Sequence, residues 1–529
     1  MLRRWPRGRV VLLILSTAGC VQPPTRPEYA EVERNVHTAA SRPPGTIRPD
    51  EPMAAALDPA RVPPGLGGEQ PVDVYIRHAL AENRGIQAAQ FHLLALRQRI
   101  PQETALDDPM VQNTIWPFPS NAPQYSLMGY MPYELMITQQ FPWFGTLKLR
   151  GQAAEQEAKA AFYELLAAQL EVVSRVKRAY YNVYFNQRAE AILAENKKLA
   201  EDFVTLAKER LKSGTTTLQD VLRAQNVVTD VESELVTTRQ GLAGSKAALA
   251  RQLHVSPEAD LRALPELPVA QIPAQVEMLY RLAAAARPEL QGRLAEVARD
   301  ERQVELARKR YYPNIDAGLS YGLMTRENSP SPMADGRDNI GFVVGFNLPI
   351  YQKKLAAGVC EAEARAVADS RRYDDLRDET YEEVKELYLE AKARREVLEL
   401  FRTGYLPRAE DVLKLAANDY RVGNQDFVTL LGALKELLTV RLQVARLESE
   451  LGRALASLER VVGVQLNEHP PAPLAAPTDA PVETPQSPSP AGGADPVAPD
   501  PETPKPGDEA PLLGGNDRQT ERARTPKGQ

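Results

Sequence analysis

The sequence predicts a mainly α-helical chain with a transmembrane β-barrel: duplicated long helical hairpins, and four β-strands per chain that contribute to the barrel. Three observations carry that expectation. A heptad seam recurs at an offset of 209 residues. Segments of strict apolar–polar alternation precede the long helices. Proline is crowded to the ends: of 44 in 529 residues, eleven lie in the first 70, fifteen in the last 62, and none between Trp143 and Ser256. Because proline breaks helices, this distribution describes two unstructured ends around a long helical middle.

At the N-terminus, Arg3, Arg4, Arg7 and Arg9 precede an apolar run from Val10 to Leu15, the pattern of an export signal over residues 1–19. The run is too short to span a bilayer as a helix. Ser16-Thr17-Ala18-Gly19-Cys20 resembles a bacterial lipobox, with Thr17 where Leu is usual. That makes Cys20 the expected lipid attachment site, carrying palmitate-type acyl chains, and Val21 after it fits outer-membrane sorting. The alternative is an ordinary cleaved signal with a chance cysteine. Residues 20–71 are Pro-rich without apolar periodicity and read as a tether. Residues 468–529 form a Pro-rich tail with ten acids and five bases, expected to be disordered.

Two repeats, 72–264 and 275–465, fill the middle. Each opens with an amphipathic helix, over 72–99 and 275–310, ending near Asp108-Pro109 and Tyr312-Pro313. Strands follow. In the second copy Ile315, Ala317, Leu319, Tyr321 and Leu323 alternate with Asn314, Asp316, Gly318, Ser320 and Gly322. After a polar loop with Asp335-Gly336, Ile340, Phe342, Val344, Phe346 and Leu348 alternate with Gly341, Val343, Gly345 and Asn347. The first copy has Tyr133, Leu135, Ile137 and Phe141 against Glu134, Met136, Thr138 and Gln140, with an earlier strand near 110–116 or 124–130. Such strands suit a membrane barrel; a soluble sandwich shares the alternation. The glycine-rich polar face, and the lack of other sheet-forming sequence to cover the apolar face, favour the barrel. Four strands are too few to close one, so several copies must share it.

A helix from Leu147 to Lys212 leads to the first tip, with Phe162, Leu166, Val173, Val176, Tyr180 and Val183 as its packing stripe. Gly214 and Gly423 end helices and begin two tips of antiparallel hairpins, with Thr215–Thr217 and Asn424–Asp426 able to cap the return helices. The return seams are Val221, Val228, Leu235, Leu242, Leu249 and, 209 residues on, Leu430, Leu437, Val444, Leu451, Leu458, both unbroken heptads of a coiled coil. Three residues further along each heptad, the second copy is drier. Pro407 is expected to kink or break the second entering helix.

Composition excludes several functions. Lys plus Arg is 64 against 70 acids, a net charge of −6, unlike a nucleic-acid binder. There is no GxSxG, HExxH or phosphate loop, so no enzyme is expected, and no cofactor. Two cysteines and five scattered histidines make no metal pattern. Met110, Met128, Met131, Met136, Met324 and Met333 lie near the strands; they suit Cu(I) or Ag(I), but lipid-facing or loop methionine is the favoured reading. Cys360 reads as a small helix-packing residue.

The twice-repeated order of helix, strand pair, long helix, glycine tip and return helix resembles the TolC-like outer-membrane efflux family over about residues 72–465. The tip motifs carry most of the likeness, with Gln139-Gln-Phe-Pro-Trp-Phe-Gly145 and Tyr311-Tyr-Pro-Asn-Ile315. Asp107-Asp-Pro-Met110 is similar to the heavy-metal branch. The resemblance implies a homotrimer with a 12-stranded barrel in outer-membrane lipid of a Gram-negative-type bacterium, and a periplasmic α-barrel. It implies tips (Gly214, Thr215, Leu218, Gly423, Asn424, Phe427) that meet a periplasmic adaptor, or membrane fusion, protein linked to an inner-membrane pump of RND type. The chain is then a passive exit duct. Asp220 and Tyr420 stand where the family places gating residues, whereas Gln425 replaces an arginine and Thr429 and Gly432 replace the paired aspartates of a cation-binding ring. The rival readings are an envelope coiled-coil lipoprotein with a structural role, a type I secretion exit channel, and a periplasmic adaptor, which would carry only one hairpin.

Overall fold

A computed structural model of the chain describes residues 26–30, 65–115, 130–267, 275–325 and 336–466, with the single positions 32, 63 and 272 besides. The expected signal segment, Cys20, most of the tether, Met128, Met333 and the tail beyond 467 lie outside the described residues.

The first repeat runs β1 (Gly68–Gln70), α1 (Val72–Glu82), α2 (Arg84–Thr104), β2 (Met110–Ile115), β3 (Tyr130–Phe141), α3 (Thr146–Lys212) and α4 (Leu218–Leu253). The second runs β4 (Leu261–Ala263), α5 (Val276–Ala286), α6 (Pro288–Lys309), β5 (Ile315–Thr325), β6 (Asn339–Phe346), α7 (Gln352–Leu400), α8 (Leu406–Val422) and α9 (Phe427–Val462). At 1.5 Å per residue, the 67 residues of α3 extend about 100 Å. The return helices α4 and α9 are both 36 residues long and start 209 residues apart.

Each amphipathic helix expected as one is two. In the first repeat Asn83 leaves helical geometry, and its Oδ1 accepts from the backbone N–H groups of Gly85 (2.9 Å) and Ile86 (3.2 Å), capping α2. In the second repeat Pro288 opens α6, and the extended backbone of Arg287 before it makes the break. Arg287 is buried there, donating to Thr380 Oγ1 at 2.9 Å and pairing with Glu383 at 3.2 Å.

Pro407 acts where expected, but it does not end the helix. The backbone between α7 and α8 widens into a π-turn over Phe401–Tyr405, whose closing bond runs from the Leu406 N–H to the Phe401 carbonyl five residues back. The extra residue absorbs the proline ring and its missing donor. Arg408 Nε donates to the Gly404 carbonyl at 2.7 Å.

The four long strands form one antiparallel sheet in the order β2-β3-β5-β6. Of the two positions expected for the earlier strand of the first repeat, residues 110–115 form a strand, and 124–129 lie outside the described residues. Register pairs Ile137 with Leu319 and Leu319 with Phe342, so the alternating apolar residues share one face. A second, parallel pair joins β1 to β4, and no alternation in either segment announces it. Three tyrosine and glutamine side chains pin it. Tyr75 Oη donates to the Arg262 carbonyl at 3.0 Å, Tyr180 Oη donates to the Gln70 carbonyl at 3.1 Å, and Gln187 exchanges two 3.1 Å bonds with Ala263.

Helix α3 is the spine. Near the sheet it packs between α2 and α6; toward the tips it packs on α4 and α9. The buried line on α3 is Leu165, Val172, Val176, Tyr180 and Val183; Phe162, Leu166 and Val173 are half-buried beside it. All five seam residues of α9 are buried, and so are Ala433, Val440, Leu447, Ala454 and Val461 three positions on. On α4 the matching Thr238, Ser245 and Gln252 are not. The second seam is therefore the drier, because α9 packs on both α3 and α7. Gly452 lets α9 approach α3: a Cβ there would lie 2.6 Å from the Tyr181 ring. Beside it, Lys177 and Glu459 form a buried ion pair at 2.5 Å. Cys360, expected inside a helix contact, is exposed.

Candidate functional site

The functional surfaces lie at the two extremes of the molecule, the hairpin tips and the sheet.

Both tips close with the same turn. Gly214 (φ 73°) and Gly423 (φ 89°) adopt the left-handed conformation that only glycine takes without strain. The next N–H reaches back five residues, from Thr215 to Arg210 (3.0 Å) and from Asn424 to Asp419 (2.9 Å). This pattern satisfies the last carbonyls of α3 and α8. Thr217 and Asp426 then cap α4 and α9. Gly214, Thr215, Gly423 and Asn424 are exposed, and Leu218 is 59% exposed. Phe427, the repeat-mate of Leu218 and expected among the contact residues, is only 2% exposed. It offers no surface; it supports the tip from within.

The two residues expected to gate are both tied into their own tip. Asp220 completes a capping box: its carboxylate accepts from Thr216 Oγ1 (2.8 Å), Thr217 Oγ1 (2.9 Å) and the Thr217 N–H (3.4 Å). Burial works to raise its pKa, but these bonds and Arg223 outweigh it and hold the carboxyl below its ordinary range. Replacing Asp220 by Ala should loosen the first turn of α4 by about 1 kcal/mol. Faster amide exchange at residues 218–222 reads this out. A lowered folded pKa means the cap is intact above the ordinary carboxylate range and is lost as pH falls through the folded value. The same exchange should therefore appear in the wild type under strong acid.

Tyr420 lies under the other tip, 2% exposed. The Arg210 guanidinium sits 4.5 Å from its ring centre and donates to its carbonyl, and the Phe427 ring lies at 5.2 Å. Arg210 comes from the first repeat, so this contact ties one tip to the other. The Tyr420 hydroxyl is buried and has no hydrogen-bond partner among the described residues.

At the other extreme, the sheet turns its apolar face outward. Phe342 is 87% exposed, Val344 73%, and Ile340, Phe346 and Leu348 are similarly open. The opposite face carries Gly318, Gly322, Gly341 and Gly345. A Cβ at Gly318 would meet the Ile137 carbonyl at 2.6 Å, and one at Gly341 would meet Ser320 Oγ at 2.7 Å. The strands are thus crowded on the glycine side, the geometry of a sheet curling toward it. At the helix end of the sheet stand Trp143, Phe144, Tyr311, Tyr312 and Tyr351, all at least partly exposed. Trp143 stacks on Tyr312 at 5.1 Å. In the sequence these aromatics are separate motif letters; their shared position as a band only emerges once the strand ends are aligned. Of the strand methionines, Met110 is exposed and Met324 buried. Among the described residues no group of three His, Cys, Asp or Glu is placed to hold a metal ion.

A family model described as outer membrane efflux protein matches residues 75–253 and 279–464. Solved structures share the fold. The outer-membrane channel OprN is 19% identical, covering 79% of this chain and 98% of its own, with a TM-score of 0.62. The outer membrane protein VceC from Vibrio cholerae is 19% identical, covering 74% and 96%, with a TM-score of 0.61. The MtrE outer membrane channel of Neisseria gonorrhoeae, solved in an open state, is 17% identical, covering 74% and 88%, with a TM-score of 0.60. No curated protein matches.

Proposed function

The chain belongs to the outer membrane efflux protein family, and we propose that three copies form its duct: a 12-stranded barrel across the outer membrane above a periplasmic tube of helices. It conducts solutes passively, handed over by a periplasmic adaptor and an inner-membrane pump, and performs no chemistry itself. The observation that carries this reading is the outward apolar face of the sheet. A strip such as Phe342-Val344-Phe346 in water would drive aggregation. In lipid it is at home, with glycines curling the sheet inward and aromatics at its lower edge like the girdle of a membrane barrel. The order β2-β3-β5-β6 leaves β2 and β6 as edges, and open edges are not tolerated in a bilayer. Pairing β6 of one copy with β2 of the next removes them. On the helices, Leu389, Val397, Leu400, Val412 and Leu415 are exposed on α7 and α8, and the open flank of α4 suits them as a neighbour's partner.

The tip residues Gly214, Thr215, Leu218, Gly423 and Asn424 are the adaptor contact in this reading, and Asp220 and Tyr420 hold the closed end. Cys20 is the lipid anchor and residues 20–71 its tether. An RND-type pump is the expected energy source, by family resemblance.

The test is Phe342→Arg. A cation on the lipid face of a barrel costs about 2–4 kcal/mol near the midplane, and the assembly would carry three. With the lipid anchor removed by Cys20→Ser, the variant should fail to fractionate with the outer membrane, while Phe342→Leu in the same background should still do so. Normal membrane fractionation of Phe342→Arg in that background would remove the barrel. Electron microscopy of the wild type in detergent should show a three-fold tube of roughly 140 Å, from about 100 Å of helix plus a bilayer-spanning barrel.

A further inference from the structure

Directly below the sheet lies a polar cavity of about 380 Å³ between α2, α3 and α6. Asn314 and Asn347 form its roof, and both continue the glycine-bearing face of the sheet rather than the apolar one. If the apolar face meets lipid, this cleft opens on the interior of the duct; its placement on the inner wall therefore rests on the duct reading.

Its two acids share one cation, so the four cations of the lining exceed the acids by two. Glu103 and Glu157 both pair with Arg99, at 3.3 and 3.1 Å. Three other cations of the lining, Arg150, Lys309 and Arg310, form no ion pair with any described residue. Arg150 and Lys309 are half-buried, so water screens them less than a surface pair.

Lys309 Nζ lies over the Tyr312 ring, 5.7 Å from its centre, and none of the three cations has an anionic partner among the described residues. Thr146, the first residue of α3, lines the same cleft. The helix start before it is Gly145, which has no side chain to cap the free N–H groups. Lys309 Nζ comes within 3.8 Å of where a Cβ on Gly145 would stand. A lysine therefore faces the positive end of a 67-residue helix, the end that favours anions and repels cations. Arg150 and the exposed Arg310 line the same cleft. An anion between them reverses the sign of the repulsion, since oriented N–H groups and planar guanidinium donors both fit carboxylate or phosphate oxygens.

We propose that this cleft is an anion subsite on the inner wall of the duct, taking the carboxylate or phosphate group of a passing solute between Arg150, Lys309, Arg310 and the N-terminus of α3. Three copies make a ring of nine cations just below the barrel. The ring favours anionic cargo and tilts small-ion permeation toward chloride.

The experiment uses the full-length protein in two assays. In detergent, inorganic phosphate at constant ionic strength should raise the thermal midpoint of the wild type, because a ligand that binds only the folded state stabilises it. The variant Arg150→Gln/Lys309→Gln/Arg310→Gln should lose that rise, and Lys309→Arg should keep it. If the triple variant does not fold, Arg150→Gln alone carries the comparison. In planar bilayers under a KCl gradient, the wild-type reversal potential should lie closer to the chloride limit than the variant's. Conducting pores with no phosphate effect and no difference in reversal potential overturn the subsite. A phosphate effect without conducting pores upholds the subsite and overturns the duct. Charge-dependent stabilisation by phosphatidylglycerol but not phosphatidylcholine vesicles, with free phosphate inert, assigns the cleft to a lipid headgroup and overturns its place on the inner wall.

Discussion

Lys177→Met should lower the thermal midpoint of the purified protein more than any other single change on α3. Lys177 and Glu459 form a 2.5 Å pair with side chains 11% and 9% exposed. The second carboxylate oxygen of Glu459 accepts from the Leu466 N–H at 3.2 Å. The pair is thus almost dry, and it joins the spine of the first repeat to the last helix of the second. Removing the lysine leaves a buried carboxylate with one backbone donor, which costs about 3–5 kcal/mol. The double variant Lys177→Met/Glu459→Met removes both charges and leaves apolar volume in their place. It should recover most of the loss, because a buried pair is worth little against a well-packed apolar substitute. A single variant as stable as wild type would show that water reaches this site in the assembly. A double variant as unstable as the single would mean that Glu459 matters for holding Leu466 and the end of α9, not for its charge.

That pair is invisible in the sequence, and the reason is general to this chain. What was legible is local or periodic. The seams at offset 209, the glycines that end α3 and α8, and the alternation of β5 and β6 each need only neighbouring residues, and each predicted its element to within a residue or two. What was not legible depends on residues far apart meeting. Gly68-Glu-Gln70 has no strand pattern; it pairs with Leu261 because tyrosine hydroxyls on α1 and α3 hold both segments. The breaks at Asn83 and Arg287, by contrast, are marked locally, by a capping asparagine in one repeat and by Pro288 in the other, and the amphipathic pattern running through both positions hid them. Leu218 and Phe427 occupy one repeat position, yet only Phe427 is buried, since the Tyr420 ring packs against it. Arg150, Lys309 and Arg310 read singly as solvated helix charges. Only the side-by-side packing of α3 and α6 makes them a cluster. A duplicated sequence thus predicts duplicated elements well and predicts their unequal surroundings poorly.

The inequality of the repeats sets up the second large effect, at the tip. Tyr420→Ala should both loosen the tip and raise single-channel conductance. Truncating a buried aromatic costs about 3–5 kcal/mol, and the Arg210 cation over the ring adds about 0.5–1 kcal/mol or more. Since Arg210 belongs to the first hairpin and Tyr420 to the second, the loss falls on the contact that keeps the two tips together. Tyr420→Phe separates two ways of holding the end shut. The hydroxyl has no partner among the described residues, so if packing alone holds the tip, phenylalanine should be silent or slightly stabilising, because it removes an unsatisfied buried polar group. If the hydroxyl reaches a neighbouring copy when three tips converge, phenylalanine should raise conductance nearly as far as alanine does. Conductance recorded in planar bilayers for the two variants decides between them. An alanine variant that conducts like wild type would end the gating role of Tyr420 and leave it as tip packing only.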